Sequence, residues 1–280
     1  MEVGIFARTF EAPSLAGVLD AVAAHGIRHI QLNTSCMGLS DMPDGLDSAA
    51  CERAHNEISA RGIEVVSLSA TYNMIHPDPA ARTQGMRRLE VLASHAAELG
   101  TDLLTLCTGT RNPDNMWADH PLNGSPEAWS DLLAAMQQAL SLAERHNVRL
   151  GIEPEVSNVV SSPAKARQLL DTMRSDRITI VMDGANVFPM GTIHRQREIL
   201  DEAFDLLGDH IALAHAKDLS RDGEAGHEAA GTGLLDYDYY LQMLRQSGYR
   251  GALVLHSLTP EQVPACVRFL QEKLRNHQSG

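Results

Sequence analysis

The chain is poor in aromatic residues, in paired cysteines, in positive charge and in long apolar runs, and each shortage excludes a class of protein. Phe, Trp and Tyr make up only 4 % of the 280 residues, so the core has to come from aliphatic side chains. Abundant Ala and Leu suit helices packed on short aliphatic strands. The four cysteines, Cys36, Cys51, Cys107 and Cys266, are scattered and form no Cys-x-x-Cys pair. That rules out a disulfide framework and points to a reduced, cytoplasmic setting. Lys and Arg number 23 against 36 Asp and Glu, a formal net charge of −13. Sequence-independent nucleic-acid binding needs clustered cations to displace counterions from phosphates, so no nucleic-acid partner is expected. A small anionic substrate remains open, because one local Arg or Lys can serve it. No apolar run approaches the roughly 18 residues of a membrane span, and no basic-then-apolar leader opens the chain, so a soluble protein with no membrane partner is expected.

What the chain does have is regular alternation. Short apolar runs open at Val3, Arg28, Ile63 and Asp102, and again at Arg149, Ile178, Ile211 and Ala252. Helical stretches separate them, several with recognisable ends. Ser14 and Ser125 stand where N-caps belong, Pro126 follows at the first helical position, and Gly26, Gly62 and Gly100 stand at the stops. Strand-then-helix repeated eight times, at roughly 35 residues per unit, predicts a parallel sheet with crossover helices closed into one (β/α)8 TIM barrel. An open doubly wound sheet would want a Gly-rich turn after the first strand, and Ala7-Arg8-Thr9-Phe10-Glu11 has none. No linker divides the chain, so residues 1–280 are expected to form a single domain.

The last four strands each end on a potential metal ligand: Glu153, Asp183, His215 and His256. Side chains alternate along a strand, so Glu153 shares a face with Gly151, Asp183 with Val181, His215 with Leu213 and Lys217, and His256 with Val254. One consistent register turns all four ligands into the mouth of the barrel, where such folds carry their active sites. Two carboxylates and two imidazoles form a mixed nitrogen and oxygen set. That set suits one divalent ion, Mn²⁺ or Zn²⁺ first, with Co²⁺, Fe²⁺ or Mg²⁺ as further choices, better than Ca²⁺.

Gly151-Ile152-Glu153-Pro154-Glu155, the turn Asp183-Gly184-Ala185-Asn186 and His215-Ala216-Lys217-Asp218 resemble the xylose isomerase-like TIM barrels of the sugar phosphate isomerase/epimerase superfamily. Gly231-Thr232-Gly233-Leu234-Leu235-Asp236 and Ser247-Gly248-Tyr249-Arg250-Gly251 add to the resemblance. It implies one divalent metal held by Glu, Asp, His and Glu from strands five to eight. Glu153, Asp183 and His215 match the first three positions, and His256 departs from the usual Glu. Family epimerases use the two glutamates on opposite faces of the substrate. The departure therefore disfavours epimerisation at C3 and favours chemistry that one base and one acid can perform.

The expected function is a metal-dependent isomerase, or epimerase-like enzyme, acting on a small keto or aldo sugar or sugar acid through an enediolate. Glu153, or Glu155 beside it, would be the general base, and Lys217 would donate a proton or hydrogen bond to the developing oxyanion. Lys217 could instead pair with Asp218 or a neighbouring carboxylate. Arg111, in a Gly-containing loop after strand four, could grip a substrate carboxylate or phosphate, or be a solvated loop arginine. Asn73 and His76 after strand three, and Asn186 after Asp183, could read hydroxyls. Trp117, in the long loop after strand four, could close over a sugar. Gly231-Thr232-Gly233 reads as a turn with Asp236 capping the next helix. The alternatives are a metal-dependent dehydratase or decarboxylase on a 3-oxo sugar acid, and a catalytically silent sugar-binding barrel. The resemblance also allows pairing into a homo-oligomer.

Overall fold

The structure is a computed structural model describing residues 1–276. Eight strands close into a barrel in chain order, every neighbouring pair parallel. They are β1 (Glu2–Phe6), β2 (His29–Leu32), β3 (Glu64–Ser69), β4 (Leu103–Cys107), β5 (Arg149–Glu153), β6 (Ile178–Asp183), β7 (Ile211–Ala216) and β8 (Ala252–Leu255). The helices outside are α1 (Leu15–Ala24), α2 (Ser48–Ser59), α3 (Pro79–His95) and α4 (Pro126–His146), then α5 (Pro163–Met173), α6 (Gln196–Leu207), α7 (Tyr237–Gln246) and α8 (Val263–Asn276). The expected (β/α)8 barrel is therefore what the chain forms. None of the described helices is long and apolar enough to cross a membrane.

Local chemistry explains the boundaries. The Ser14 hydroxyl accepts from Gly17 N and the Ser125 hydroxyl from Ala128 N, so each cap satisfies a free donor at its helix start. Gly26, Gly62 and Gly100 take φ of +69°, +64° and +88°, left-handed values that stop a helix where a side chain would be strained. β1 is shorter than its apolar run, because Ala7–Thr9 winds into a 3-10 turn. That turn carries Arg8 to the mouth.

The apolar residues divide into two layers. Leu150, Ile152, Ile180 and Met182 face outward against the helices, whereas Phe6, Leu103, Val181, Leu213, Ala252 and Val254 fill the inside of the barrel. Gly151 lies on the inner face, where a Cβ would come within 2.9 Å of Val181, so the small residue makes room for the packed interior. Two register shifts position the site. One, between Ile30 and Gln31, sets Gln31 opposite Ser67; the other, between Ile180 and Val181, sets Asp183 opposite His215. An extra residue on one strand re-aims the side chains beyond it. The four cysteines are free and buried, and the Cys107 thiol donates to the carbonyl of Tyr72.

Candidate metal centre and active-site cavity

At the carboxyl ends of β5 to β8, Glu153, Asp183, His215 and His256 each present one ligand atom, and these atoms lie within 4.8 Å of one another. His215 Nδ1 is 3.5 Å from Glu153 Oε1 and 3.9 Å from Asp183 Oδ2, and His256 Nε2 is 3.1 Å from the same Asp183 oxygen. Ligands bound at about 2 Å around a single ion stand roughly 3–4 Å apart, so the spacing suits one ion.

The sharper test is His215. Its Nε2 lies 3.0 Å from Gln31 Oε1, while its buried Nδ1 has no hydrogen-bond partner. A buried polar atom without a partner is costly unless something else occupies it. Gln31 is itself oriented, since its amide nitrogen donates to the Ser69 and Thr105 hydroxyls at 2.8 and 2.9 Å. Its carbonyl oxygen is thereby left to accept from His215 Nε2–H, which turns a bare Nδ1 lone pair toward the carboxylates. A ligating imidazole is held in this way. These buried residues could bind a metal.

Electrostatics agree. Burial alone would raise the Asp183 carboxyl, but Lys217 and His256 outweigh it and hold the group far below the ordinary carboxylate range. Burial is likewise outweighed at Glu153, by His215 and Lys217, so that carboxyl is also lowered. Burial, helped by the Lys217 charge, pushes His256 down to about 4, which leaves a neutral imidazole able to donate a lone pair. Lys217 Nζ lies 3.3 Å from Asp183 Oδ2. Burial would lower its ammonium, but Asp183, Glu153 and Glu155 outweigh burial and raise it. Glu155 is different: burial dominates and lifts its carboxyl to about 7.

Backbone anchors hold the strand ends. The Tyr240 hydroxyl on α7 meets the carbonyls of both Met182 and His215, fastening β6 to β7 beside two ligands. Asn186 donates to Glu153 Oε1 at 2.6 Å and accepts from Gly226 N, so it connects that ligand to the loop after β7. Of the carboxylate pairings expected for Lys217, the one that forms is with Asp183 on β6 and not with Asp218. Asp218 accepts from the backbone of Leu219, Gly231 and Leu235, and so builds the turn expected at 231–233. Asp236 caps α7 through Tyr239 N, as expected.

The cavity above the ligands measures about 410 Å³. Glu153, Glu155, Lys217, His256 and Trp117 line it, with Trp117 half-exposed at the rim. Arg111, Asn73 and His76 are held elsewhere. The Arg111 guanidinium donates to Asp131 on α4 at 2.6 Å and to the carbonyl of Ile75 at 3.0 Å, so it ties loops together and does not line the cavity. Asn73 is fully engaged with the backbone of Ile75, Thr110 and Asn112. His76 bridges Pro113 O and Asp78 N. Sequence reasoning missed Arg8, Phe6 and Gln31 on the wall. Each lies on β1, β2 or the turn after β1, in the half of the chain without ligand-type strand ends, where a Gln within an apolar strand was the one available signal.

With fold and site in view, the class is plain. Residues 19–273 match the model of the xylose isomerase-like TIM barrel, and the chain belongs to that family. Among solved structures it is similar to a D-tagatose 3-epimerase-like protein at 15 % identity and TM-score 0.77, covering 100 % of both chains. It is also similar to the IolI protein with a binding zinc atom, at 17 % identity and TM-score 0.73, covering 97 % of this chain and 96 % of that one. A third is a probable 3-DHS dehydratase from Bacillus anthracis, at 14 % identity and TM-score 0.72, covering 97 % of this chain and 99 % of that one. No curated protein matches.

Proposed function

We propose that the chain is a divalent-metal-dependent sugar isomerase, its residues working as one barrel domain with a small carbohydrate as partner. The observation that carries this reading is the unpartnered His215 Nδ1 among Glu153, Asp183 and His256. An ion held by these four would supply Lewis-acid polarisation of a carbonyl. Around that centre, Glu153 is the assigned base, its carboxyl held below the ordinary range and aimed by Asn186. Lys217, a buried ammonium 3.3 Å from Asp183, is the hydrogen-bond donor to oxygen that gains charge. Glu155 lines the same cavity, and a carboxyl raised to about 7 both takes and returns a proton near neutral pH. A proton moved between adjacent carbons on one face needs no second glutamate on β8, which is why isomerisation fits better than epimerisation. A lyase reaction, dehydration or decarboxylation of a 3-oxo sugar acid, is the second reading, favoured by the weakly basic His256 where a second base would stand.

The test is incubation of the Mn²⁺- or Zn²⁺-loaded protein with a panel of aldoses and ketoses in D₂O. Isomerised product with deuterium at the carbon next to the carbonyl supports the proposal. Release of water or CO₂ selects the lyase, and a protein that binds no divalent ion sinks both.

A further inference from the structure

His256 meets the rest of the site through both of its ring nitrogens. Nε2 lies 3.1 Å from Asp183 Oδ2, and Nδ1 lies 3.4 Å from the hydroxyl of the next residue, Ser257. Neighbouring rings fix the plane of the imidazole. Phe6 stacks on it with centroids 4.9 Å apart and 28° between the planes, and the His215 ring meets it edge-on at 4.6 Å.

Ser257 is unusual in its own backbone. Its φ is +57°, in the left-handed region. The other non-glycine residues with positive φ, Asn147 and Arg174, are the C-caps of α4 and α5, where that conformation closes a helix. Ser257 follows β8 and caps no helix. A side chain there strains the backbone in a way that glycine avoids, so the observed serine points to a use for its hydroxyl. That residue also lines the cavity.

The two states of the site make opposite demands on His256. Without an ion, the Asp183 carboxylate accepts, so the ring proton belongs on Nε2 and Nδ1 is a bare acceptor. As a ligand, Nε2 presents its lone pair, so the one proton of the neutral ring belongs on Nδ1, which becomes a donor. A hydroxyl answers both demands by rotating about its own C–O bond. His215 differs, because the carbonyl oxygen of Gln31 only accepts and holds a single tautomer.

We infer that Ser257 is a positioning residue for His256. Its hydroxyl donates to Nδ1 in the metal-free chain and accepts from Nδ1–H when Nε2 is a ligand. The imidazole keeps one proton throughout, exchanged between its nitrogens through solvent. The inference rests on the reading of His256 as a ligand.

The whole chain, labelled with ¹⁵N-histidine, is followed by NMR without metal and with one equivalent of Zn²⁺, His256 being assigned by its loss in His256→Ala. An Nε2–H ring is expected without metal and an Nδ1–H ring with it; one tautomer in both states overturns the inference. Calorimetry should show Zn²⁺ affinity reduced about tenfold or more in both Ser257→Ala and Ser257→Gly. Ser257→Gly, relieved of the left-handed strain, should melt above Ser257→Ala. A purely structural serine would instead let affinity follow melting temperature and leave Ser257→Gly undiminished, which would also overturn the inference. If His256→Ala weakens binding and neither Ser257 variant does, the inference alone fails. If His256→Ala binds Zn²⁺ as tightly as wild type, His256 is no ligand and the reading beneath the inference fails with it.

Discussion

Gln31 and His215 stand 184 positions apart in the chain and share a 3.0 Å hydrogen bond across the barrel mouth. The bond comes from opposite halves of the barrel and decides which imidazole nitrogen faces the carboxylates. Replacing Gln31 with Met removes the acceptor and leaves the imidazole free to change tautomer. Divalent-metal affinity should fall by roughly 10–100-fold with the fold retained. Calorimetry with Zn²⁺ or Mn²⁺, checked by circular dichroism, measures this, and an unchanged affinity would remove Gln31 from the support of the site.

His256 occupies the position where the resemblance predicts Glu, and it stacks on Phe6 with ring centroids 4.9 Å apart. His256→Ala should weaken metal binding by about tenfold or more. His256→Glu should shift preference from Zn²⁺ toward Mn²⁺ or Mg²⁺, because a carboxylate is the harder donor. Equal metal affinities in wild type and His256→Ala would make His256 a neighbour of the ligand set and not a member.

The Glu155 carboxyl, raised to about 7 by burial, gives the metal-free protein a pH signature. The native state holds that proton more tightly than the unfolded chain does. The associated stability is present below the ordinary Glu range and is lost as pH rises through about 7. At about pH 8, Glu155→Gln should therefore unfold at a higher temperature than wild type, by a margin on the order of 3 kcal/mol at most, and show little gain near pH 5. The same difference at both pH values would contradict the prediction.

Arg111 holds Asp131 together with Arg82, both arginines meeting Asp131 Oδ2. Arg111→Ala should destabilise the fold by about 1–2 kcal/mol, a figure reduced for the partly exposed Asp131. The affinity for a bound ketose should be unchanged, as read by denaturant unfolding alongside sugar titration. A selective loss of sugar binding without loss of stability would restore Arg111 to the cavity.

Much of the fold was legible locally. The caps at Ser14 and Ser125 and the stops at Gly26, Gly62 and Gly100 depend on residues a few positions away, and a sequence displays those directly. Strand faces follow from a period of two, which is why Glu153, Asp183, His215 and His256 could be named together. The period does not reveal what a side chain meets across the barrel. Lys217, just past β7, pairs with Asp183 and not with its neighbour Asp218, whose carboxylate is taken by the backbone N–H groups of Leu219, Gly231 and Leu235. Arg111 and Arg8 are both loop arginines after a strand. Asp131 on α4 lies close enough to hold the first, whereas a 3-10 turn lifts the second to the rim.

The sequence by itself determined eight alternating units, their local ends and four ligand-bearing strand termini, because each depends on periodicity or on immediate neighbours. Only the tertiary structure decided which nitrogen of His215 is bare, that Glu155 is buried without a partner, and which cations the mouth already neutralises. Those facts arise from closing the sheet, which brings the Gln31 side chain of β2 to His215 of β7 and the turn after β1 to the loop after β2, contacts between residues that no local pattern relates.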